Sequence, residues 1–190
     1  MPDSTGQDIE QLARVAAGDQ SALSALVQRH QDAVYRFACS MLRDPSAAED
    51  VLQETFLSAL RHAGSFRGDG SVGSWLMTIA RRHAYRLMRR RVGEPAIMEP
   101  LDRLGVAAGW GAAPGDGLAA HLDRQDAVRR ALASLSESDR EIILLRDVEE
   151  FSGLETARIL EIPVPAMKSR LHRARLRLAA ALRKGGYDGP

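Results

Sequence analysis

The 190-residue sequence has little cysteine and few aromatic residues: one Cys, two Trp, three Tyr and four Phe. Because Cys39 stands alone, a disulfide framework within the chain is excluded. The sequence also lacks an N-terminal signal-peptide pattern and any apolar run long enough to span a bilayer. Its histidines are scattered, without the spacing of a zinc site. We therefore expect a cytoplasmic protein that holds no metal and no cofactor.

The residues that are abundant favour helices. Ala, Leu and Arg dominate, and all three are good helix formers. We predict an all-α protein of two small helical domains, at residues 1–92 and 125–190. Between them, residues 93–124 are rich in Gly and Pro and lack a sustained period, which predicts a flexible linker. Trp110 lies within this predicted linker, and its role is open.

Basic residues are concentrated in two segments. Residues 61–91 hold eight Arg against one acid, and residues 165–184 hold seven Lys or Arg and no acid. The net charge of +1 hides this segregation. Two separate basic segments on a nearly neutral chain predict two contacts with nucleic acid.

The second basic segment belongs to a predicted helix-turn-helix. Ser152 and Glu155 have the spacing of a capping box, which starts a helix. Pro163 cannot continue that helix, and Pro165 suits the first turn of the next one. The second helix has one apolar face and a basic outer face, as in a helix that enters the major groove. An ordinary helical hairpin is the alternative, but a merely solvated face usually mixes both charge signs.

The first basic segment contains a Gly-rich loop and a helix over residues 74–91. Three glycines of the loop, Gly68, Gly70 and Gly73, match the dinucleotide-binding pattern. We reject that site because a helix precedes the loop and arginines occupy the position of the expected acid. Basic groups with interleaved aromatic residues are typical of single-stranded DNA binding. The alternative places Trp75 at the edge of the core with solvated arginines around it.

A third predicted surface is acidic. Asp44 and Pro45 start a helix that runs to about His62. On its polar side, Leu57 is surrounded by acids and amides. This combination suits docking onto a basic helical partner, and an ordinary solvated face is an equally good interpretation.

Three motifs in order resemble bacterial sigma factors: AAEDVLQETFLSAL, FRGDGSVGSWLMTIARRHAYRLMRRR and LSESDREIILLRDVEEFSGLETARILEIPVPAMKSRLHRARLRL. The resemblance covers about residues 9–184. It is to the extracytoplasmic-function (ECF) subgroup of the sigma-70 family, which keeps only the second and fourth sigma domains. It implies a transcription initiation factor, not an enzyme, that binds core RNA polymerase, directs it to promoters and assists promoter melting.

The resemblance also implies roles for particular residues and partners. Docking on the clamp coiled coil of the polymerase β′ subunit is implied for Asp50, Gln53, Glu54 and Leu57. Binding of the −10 promoter element is implied for Arg67, Ser71, Trp75, Thr78, Arg82, Tyr85, Arg86 and Arg89. Binding of the −35 element is implied for Pro165, Ala166, Lys168, Ser169, Arg170, Arg173 and Arg177. The C-terminal domain would also contact the β flap, and an anti-sigma factor, often membrane-anchored in this family, would hold the protein inactive.

The sequence departs from the family pattern at two positions of interest. Arg82 stands where many relatives have an Asn that helps to read a −10 base. Glu161 replaces the Gly that is common at the helix-turn-helix turn, where the backbone often needs a positive φ. Gly153, Thr156 and the run Pro165-Ala166-Met167 also differ from the usual family sequence. The −10 and −35 sequence preferences are therefore open.

Two other classes of function compete with the sigma interpretation. A helix-turn-helix regulator that binds duplex DNA without polymerase would usually be a dimer on a palindrome. The second basic segment, with Trp75 and Tyr85, disfavours it. An enzyme acting on nucleic acid would need a catalytic constellation, and the close pair Asp50 and Glu54 has no convergent partner in the sequence.

Overall fold

The computed structural model describes residues 4–90 and 118–184, and all regular structure within these ranges is helical. Four helices form the N-terminal region: α1 (Ser4–Ala16), α2 (Gln20–Leu42), α3 (Pro45–His62) and α4 (Val72–Arg90). Four more form the C-terminal region: α5 (Leu118–Ser134), α6 (Glu137–Ile143), α7 (Gly153–Ile159) and α8 (Val164–Lys184). Helix α6 continues into a π-helical turn over Leu144–Val148. The prediction of an all-α fold is confirmed.

Short polar side chains start the helices of the N-terminal region. The Asp19 carboxylate accepts hydrogen bonds from the backbone N–H groups of Ser21 and Ala22 at the start of α2. Asp44 caps α3 in the same way, and Pro45 is the first helical residue, as the sequence predicts. These caps satisfy N–H groups that have no partner within the helix.

The predicted helix-turn-helix is present as α7 and α8. Ser152 and Glu155 form the complete capping box at the start of α7. Glu161, in the turn, has a φ of 57°, so it adopts the left-handed conformation that the Gly of related sequences would favour. Met167, Leu171 and Ala174 are buried and hold α8 against the rest of the C-terminal region.

The two regions pack against each other through a common apolar core. One buried cluster contains Phe37 and Met77 of the N-terminal region together with Ile142, Ile159 and Met167 of the C-terminal region. A second cluster ties α1 to α2, α3 and α4. Burial of large side chains in a shared cluster stabilises the contact between the regions. The two sets of helices are therefore in direct contact.

The structure describes only the last part of the predicted linker, residues 93–124. Its stretch up to residue 117, with Trp110, lies outside the described residues. Helix α5 begins at Leu118, within the predicted linker. The domain limits at 1–92 and 125–190 stay a prediction.

Candidate nucleic-acid and protein interfaces

The outer face of α8 presents most of the residues predicted to bind the −35 element. Pro165, Ala166, Lys168, Ser169 and Arg173 are exposed. This face lies opposite the buried residues of the same helix. The alternation of apolar and polar residues along α8 is therefore enough to direct this face toward solvent. Lys168 and Arg173 supply positive charge there, as contact with phosphates or base edges requires.

Two other predicted residues of α8 are bound within the chain. The Arg170 guanidinium donates to the backbone carbonyl of Ser138, with Nε at 3.1 Å, and to a carboxylate oxygen of Glu141 at 3.2 Å. Arg177 Nη1 donates to Asp139 at 2.6 Å. The structure thus brings Arg170 and Arg177 to α6, where each neutralises an acid.

The predicted −10 residues lie along α4 and the loop before it. Arg67, Arg82, Arg86 and Arg89 are exposed, and Ser71, Trp75, Thr78 and Tyr85 are half-buried. The Trp75 ring packs edge-on against Phe66, with ring centroids 5.8 Å apart, and contacts the smaller core cluster. Trp75 is therefore at the edge of the core, as the alternative interpretation expected, and it also remains partly accessible.

A cavity of about 220 Å³ lies between the Gly-rich loop and α7. Its walls include Phe66 and Trp75 on one side and Arg158 on the other, with Arg67 at the loop. Gly70 is close to Arg158: a Cβ at Gly70 would lie 3.4 Å from Nη1 of that arginine. The loop and the C-terminal region border this space on two sides, and it remains open to solvent.

One buried carboxylate, that of Glu141 on α6, is hydrogen-bonded to both α4 and α8. Glu141 is fully buried and accepts hydrogen bonds from Arg81 Nε at 2.7 Å and from the Tyr85 hydroxyl at 3.3 Å, besides Arg170. Burial and the neighbouring Glu141 charge raise the pKa of Tyr85, so its hydroxyl stays protonated and donates. The Arg81 guanidinium also lies over the Tyr85 ring, 4.7 Å from its centroid.

Two further carboxylates of the C-terminal region reach the predicted −10 surface. Glu155 accepts hydrogen bonds from the Ser71 hydroxyl and from the Ser71 backbone N–H, the latter at 3.2 Å. Burial raises the pKa of Glu155, but hydrogen bonds from Ser71 and Ser152 outweigh it and leave this pKa below 4.5. Glu161 accepts from Arg82 Nη2 at 2.7 Å, and this hydrogen bond lowers the pKa of Glu161.

The acidic surface on α3 is accessible, in whole or in part, at all four of its predicted residues. Asp50 and Gln53 are exposed, and Glu54 and Leu57 are partly accessible. Buried Val51, Thr55 and Ala59 anchor the opposite side of α3. The four predicted docking residues therefore share one open face of a well-packed helix.

The sequence analysis missed the residues that join the two regions. Arg81 and Glu141 were not singled out, nor was the bidentate pair in which Arg36 donates to Glu149 at 2.9 and 2.8 Å. The sequence held a signal for Glu141, because this acid directly precedes the apolar run Ile142–Leu145. A charge at the edge of a buried segment requires a partner.

The described part of the chain has neither a candidate metal site nor a candidate membrane span. No cluster of three or more His, Cys, Asp or Glu side chains there is arranged to hold a metal ion. None of its helices combines the length and the apolar character that crossing a membrane requires.

Comparisons with known proteins connect these surfaces to one family. Residues 26–93 match sigma-70 region 2, and residues 125–178 match sigma-70 region 4. The ECF RNA polymerase sigma factor SigM of Mycobacterium tuberculosis is 36% identical over 92% of this chain and 84% of its own. The chain belongs to the ECF sigma factors of the sigma-70 family. This sigma factor is therefore a promoter-specificity factor of RNA polymerase.

Other relatives agree with this membership. The ECF sigma factor SigW of Bacillus subtilis is 29% identical over 92% of this sigma factor and 96% of its own chain. Among solved structures, CnrH in complex with the cytosolic domain of CnrY superposes with a TM-score of 0.69 at 29% identity, covering 94% of this chain and 98% of CnrH. The sigma factor RpoE of Bartonella quintana, in complex with the anti-sigma factor NepR, gives a TM-score of 0.63 at 29% identity, covering 84% and 96%.

Proposed function

We propose that this sigma factor binds core RNA polymerase through the acidic face of α3. Asp50 and Glu54 would steer a basic coiled coil of the β′ clamp into register, and Leu57 would supply the apolar contact at the centre. The support is that all four docking residues, including Gln53, share one accessible face while the opposite face is buried in the core.

We propose further that α4 and the loop before it bind the non-template strand of the −10 element. Exposed arginines on α4 would hold phosphates, and an unstacked base would meet the Phe66 and Trp75 rings. The cavity beside these rings supports this assignment, since it offers an aromatic surface next to Arg67 that is open to solvent on one side. Arg82 replaces an uncharged reader in the family pattern, so the contact there would be to phosphate or to a different base edge.

The −35 element would be read by α8 in the major groove. Its exposed residues Lys168, Ser169 and Arg173 would reach bases and phosphates. Arg170 and Arg177, which are held by acids of α6, would instead fix the orientation of the helix or exchange these partners for phosphates. The C-terminal region would also rest on the polymerase β flap.

We propose an anti-sigma factor as the physiological inhibitor. Support comes from CnrH, solved with CnrY, and from RpoE, solved with the anti-sigma factor NepR. The protein would act in the cytoplasm, and a membrane-anchored inhibitor would hold it at the inner face of the membrane. It would work as a polymerase subunit without a catalytic site or a cofactor of its own.

The observation that carries this proposal is the presence of two basic surfaces and one open acidic surface on helices that match sigma regions 2 and 4. The test is transcription in vitro with purified core polymerase over a fragmented genomic template, with and without the protein. We expect new transcripts that share upstream −35 and −10 elements. Duplex binding without polymerase and without new transcripts would instead indicate an ordinary helix-turn-helix regulator.

A further inference from the structure

His83 on α4 uses both of its ring nitrogens, and they contact different helices. Nε2 lies 3.0 Å from the Ser58 hydroxyl of α3. Nδ1 lies 2.7 Å from Nη2 of Arg86, which is three residues further along α4. Ser58 directly follows Leu57 of the proposed polymerase surface, and Arg86 belongs to the proposed −10 surface. The half-buried imidazole therefore lies between the two surfaces.

The two partners determine which nitrogen of a neutral His83 carries the proton. A guanidinium has donors and no acceptor, so the Arg86 contact requires that Nδ1 be unprotonated and accept. The proton of the neutral ring is then on Nε2, which donates it to Ser58 Oγ. A serine nucleophile would need the opposite arrangement, in which the histidine takes up the hydroxyl proton. The pair of Ser58 and His83 therefore supports Arg86 and does not activate a serine.

We propose that His83 is a positioning residue for strand binding: its neutral imidazole holds the Arg86 guanidinium in place for a strand phosphate and links it, through Ser58, to the helix that docks on polymerase. This rests on the proposed function, because it requires that Arg86 bind DNA. Arg86 is exposed, and the His83 contact uses one of its five N–H donors. The remaining donors suffice for a bidentate contact with phosphate. A guanidinium that is already held loses less conformational entropy when DNA binds.

Protonation of His83 would break this arrangement. The imidazolium carries a proton on both nitrogens, so Nδ1 would present a donor and a positive charge to a group that can only donate. Burial, and then the charges of Arg86 and of Arg61 on α3, lower the pKa of His83, while Glu54 on α3 opposes this shift. The neutral, accepting ring is therefore favoured at neutral pH, and acid should release Arg86.

Two substitutions separate the acceptor at Nδ1 from the rest of the ring. His83→Asn keeps an oxygen acceptor near the position of Nδ1 and does not titrate. His83→Phe keeps an aromatic ring and removes both nitrogens. The matched control is His62→Phe, because the His62 imidazole also bonds Ser58, but at its backbone carbonyl within α3, 2.9 Å from Nδ1. Circular dichroism would establish that each full-length variant is folded.

Strand binding is measured on the holoenzyme. Core polymerase is assembled with each full-length variant, and fluorescence anisotropy follows a labelled single-stranded oligonucleotide of random sequence between about pH 5 and pH 8. Core polymerase alone gives the background. At the upper pH we expect His83→Phe to bind about fivefold more weakly than the parent, the effect of one lost hydrogen bond, and His83→Asn and His62→Phe to stay close to the parent. As the pH falls, the parent should weaken relative to His83→Asn by the same factor of about five.

Two further measurements locate the effect at Arg86. Arg86→Ala should weaken strand binding, and His83→Phe should then cause no additional loss, because a positioning residue acts only through its partner. Proton–nitrogen NMR of the free full-length chain should show His83 with Nδ1 unprotonated and Nε2 protonated at neutral pH. This assignment needs no DNA, and with His83→Asn it decides the proposal even if His83→Phe does not fold.

The contrary outcomes are distinct. Additive losses for His83→Phe and Arg86→Ala, or a neutral ring protonated at Nδ1, would overturn the positioning role and leave the DNA role of Arg86 intact. If the parent bound more tightly as the pH fell and His83→Asn did not, the imidazolium itself would contact phosphate, which also overturns positioning. Equal binding by the parent and Arg86→Ala would overturn the role of Arg86 in strand binding, and the positioning role with it.

Discussion

Arg82 of α4 and Glu161 of the helix-turn-helix turn are joined by a hydrogen-bonded ion pair of 2.7 Å. Both residues are among the positions at which the sequence departs from the family pattern. In the sequence they are 79 residues apart, and each departure concerned a different DNA element. The structure shows that the two substitutions contact each other. One contact between α4 and the helix-turn-helix turn thus joins two residues that depart from the family pattern.

Reversal of charge on α3 tests the polymerase surface. Asp50→Arg with Glu54→Arg should abolish binding to core polymerase, because the repulsion would oppose docking on a basic coiled coil. Co-purification with core enzyme measures the loss. The control is Glu10→Arg with Asp32→Arg, which reverses two exposed acids elsewhere in the N-terminal region. Undiminished transcription by the α3 variant would exclude this face as the docking site.

Arg173 tests DNA contact by α8. Arg173→Ala should weaken binding of −35 duplex DNA to the holoenzyme by about 1–3 kcal/mol if the guanidinium reads a base. If it contacts phosphate, affinity for all sequences should fall evenly and the salt dependence should become shallower. Titrations at several salt concentrations distinguish the two. Arg183→Ala, an exposed arginine near the end of the same helix, is the control; an equal loss there would argue against a specific role for Arg173.

Removal of the capping box at the start of α7 should lower the stability of the protein. Ser152→Ala removes the hydroxyl that accepts from the Glu155 backbone N–H at 3.2 Å. Loss of such a cap should lower the free energy of unfolding by about 1 kcal/mol. Chemical denaturation would measure the change. Ser46→Ala, at an exposed position in the first turn of α3, should be nearly neutral, and a similar loss for both variants would contradict the assignment.

Replacement of the buried Arg140 by an apolar residue should stabilise the protein. Its side chain is buried, and its Nε and Nη1 lack hydrogen-bond partners in the described part of the chain. Burial and the charge of Arg43 lower the pKa of Arg140 to about 10. Arg140→Met keeps a flexible, unbranched side chain and removes the charge, so it should raise the free energy of unfolding by about 1–3 kcal/mol at neutral pH.

The gain in free energy of unfolding that Arg140→Met gives should fall at high pH. A base whose pKa is lower in the folded state destabilises the fold at every pH where it must carry its proton. The difference in free energy of unfolding between Arg140→Met and the parent should therefore be constant well below pH 10. It should become smaller as the pH rises past about 10. Denaturation curves of parent and variant across this range measure the difference. If the difference in free energy of unfolding grew with pH, the buried charge of Arg140 would not be the cause of the gain.

The sequence determined most of the helices, several of their ends and the faces that carry charge, because these depend on neighbours within a few residues; the start of α5 at Leu118, inside the predicted linker, is an exception. The capping box at Ser152, the cap at Asp44 with Pro45, and the helix-turn-helix break before Pro163 all follow from local hydrogen bonding and backbone restriction. The sequence also marked Glu161 as a position where a positive φ is common, and the structure gives it a φ of 57°. The three motifs in order were also enough to indicate the family.

Only the tertiary structure decided which charged residues meet across the chain. The helical wheel put Tyr85 and Arg82 on one outward face, but it could not show that Glu141 and Glu161 approach that face from residues far along the chain. The packing of the shared core fixes that approach, and no local rule encodes it. Two basic segments that looked free in the sequence are therefore partly neutralised in the fold, because burial forces charges such as that of Glu141 to find partners.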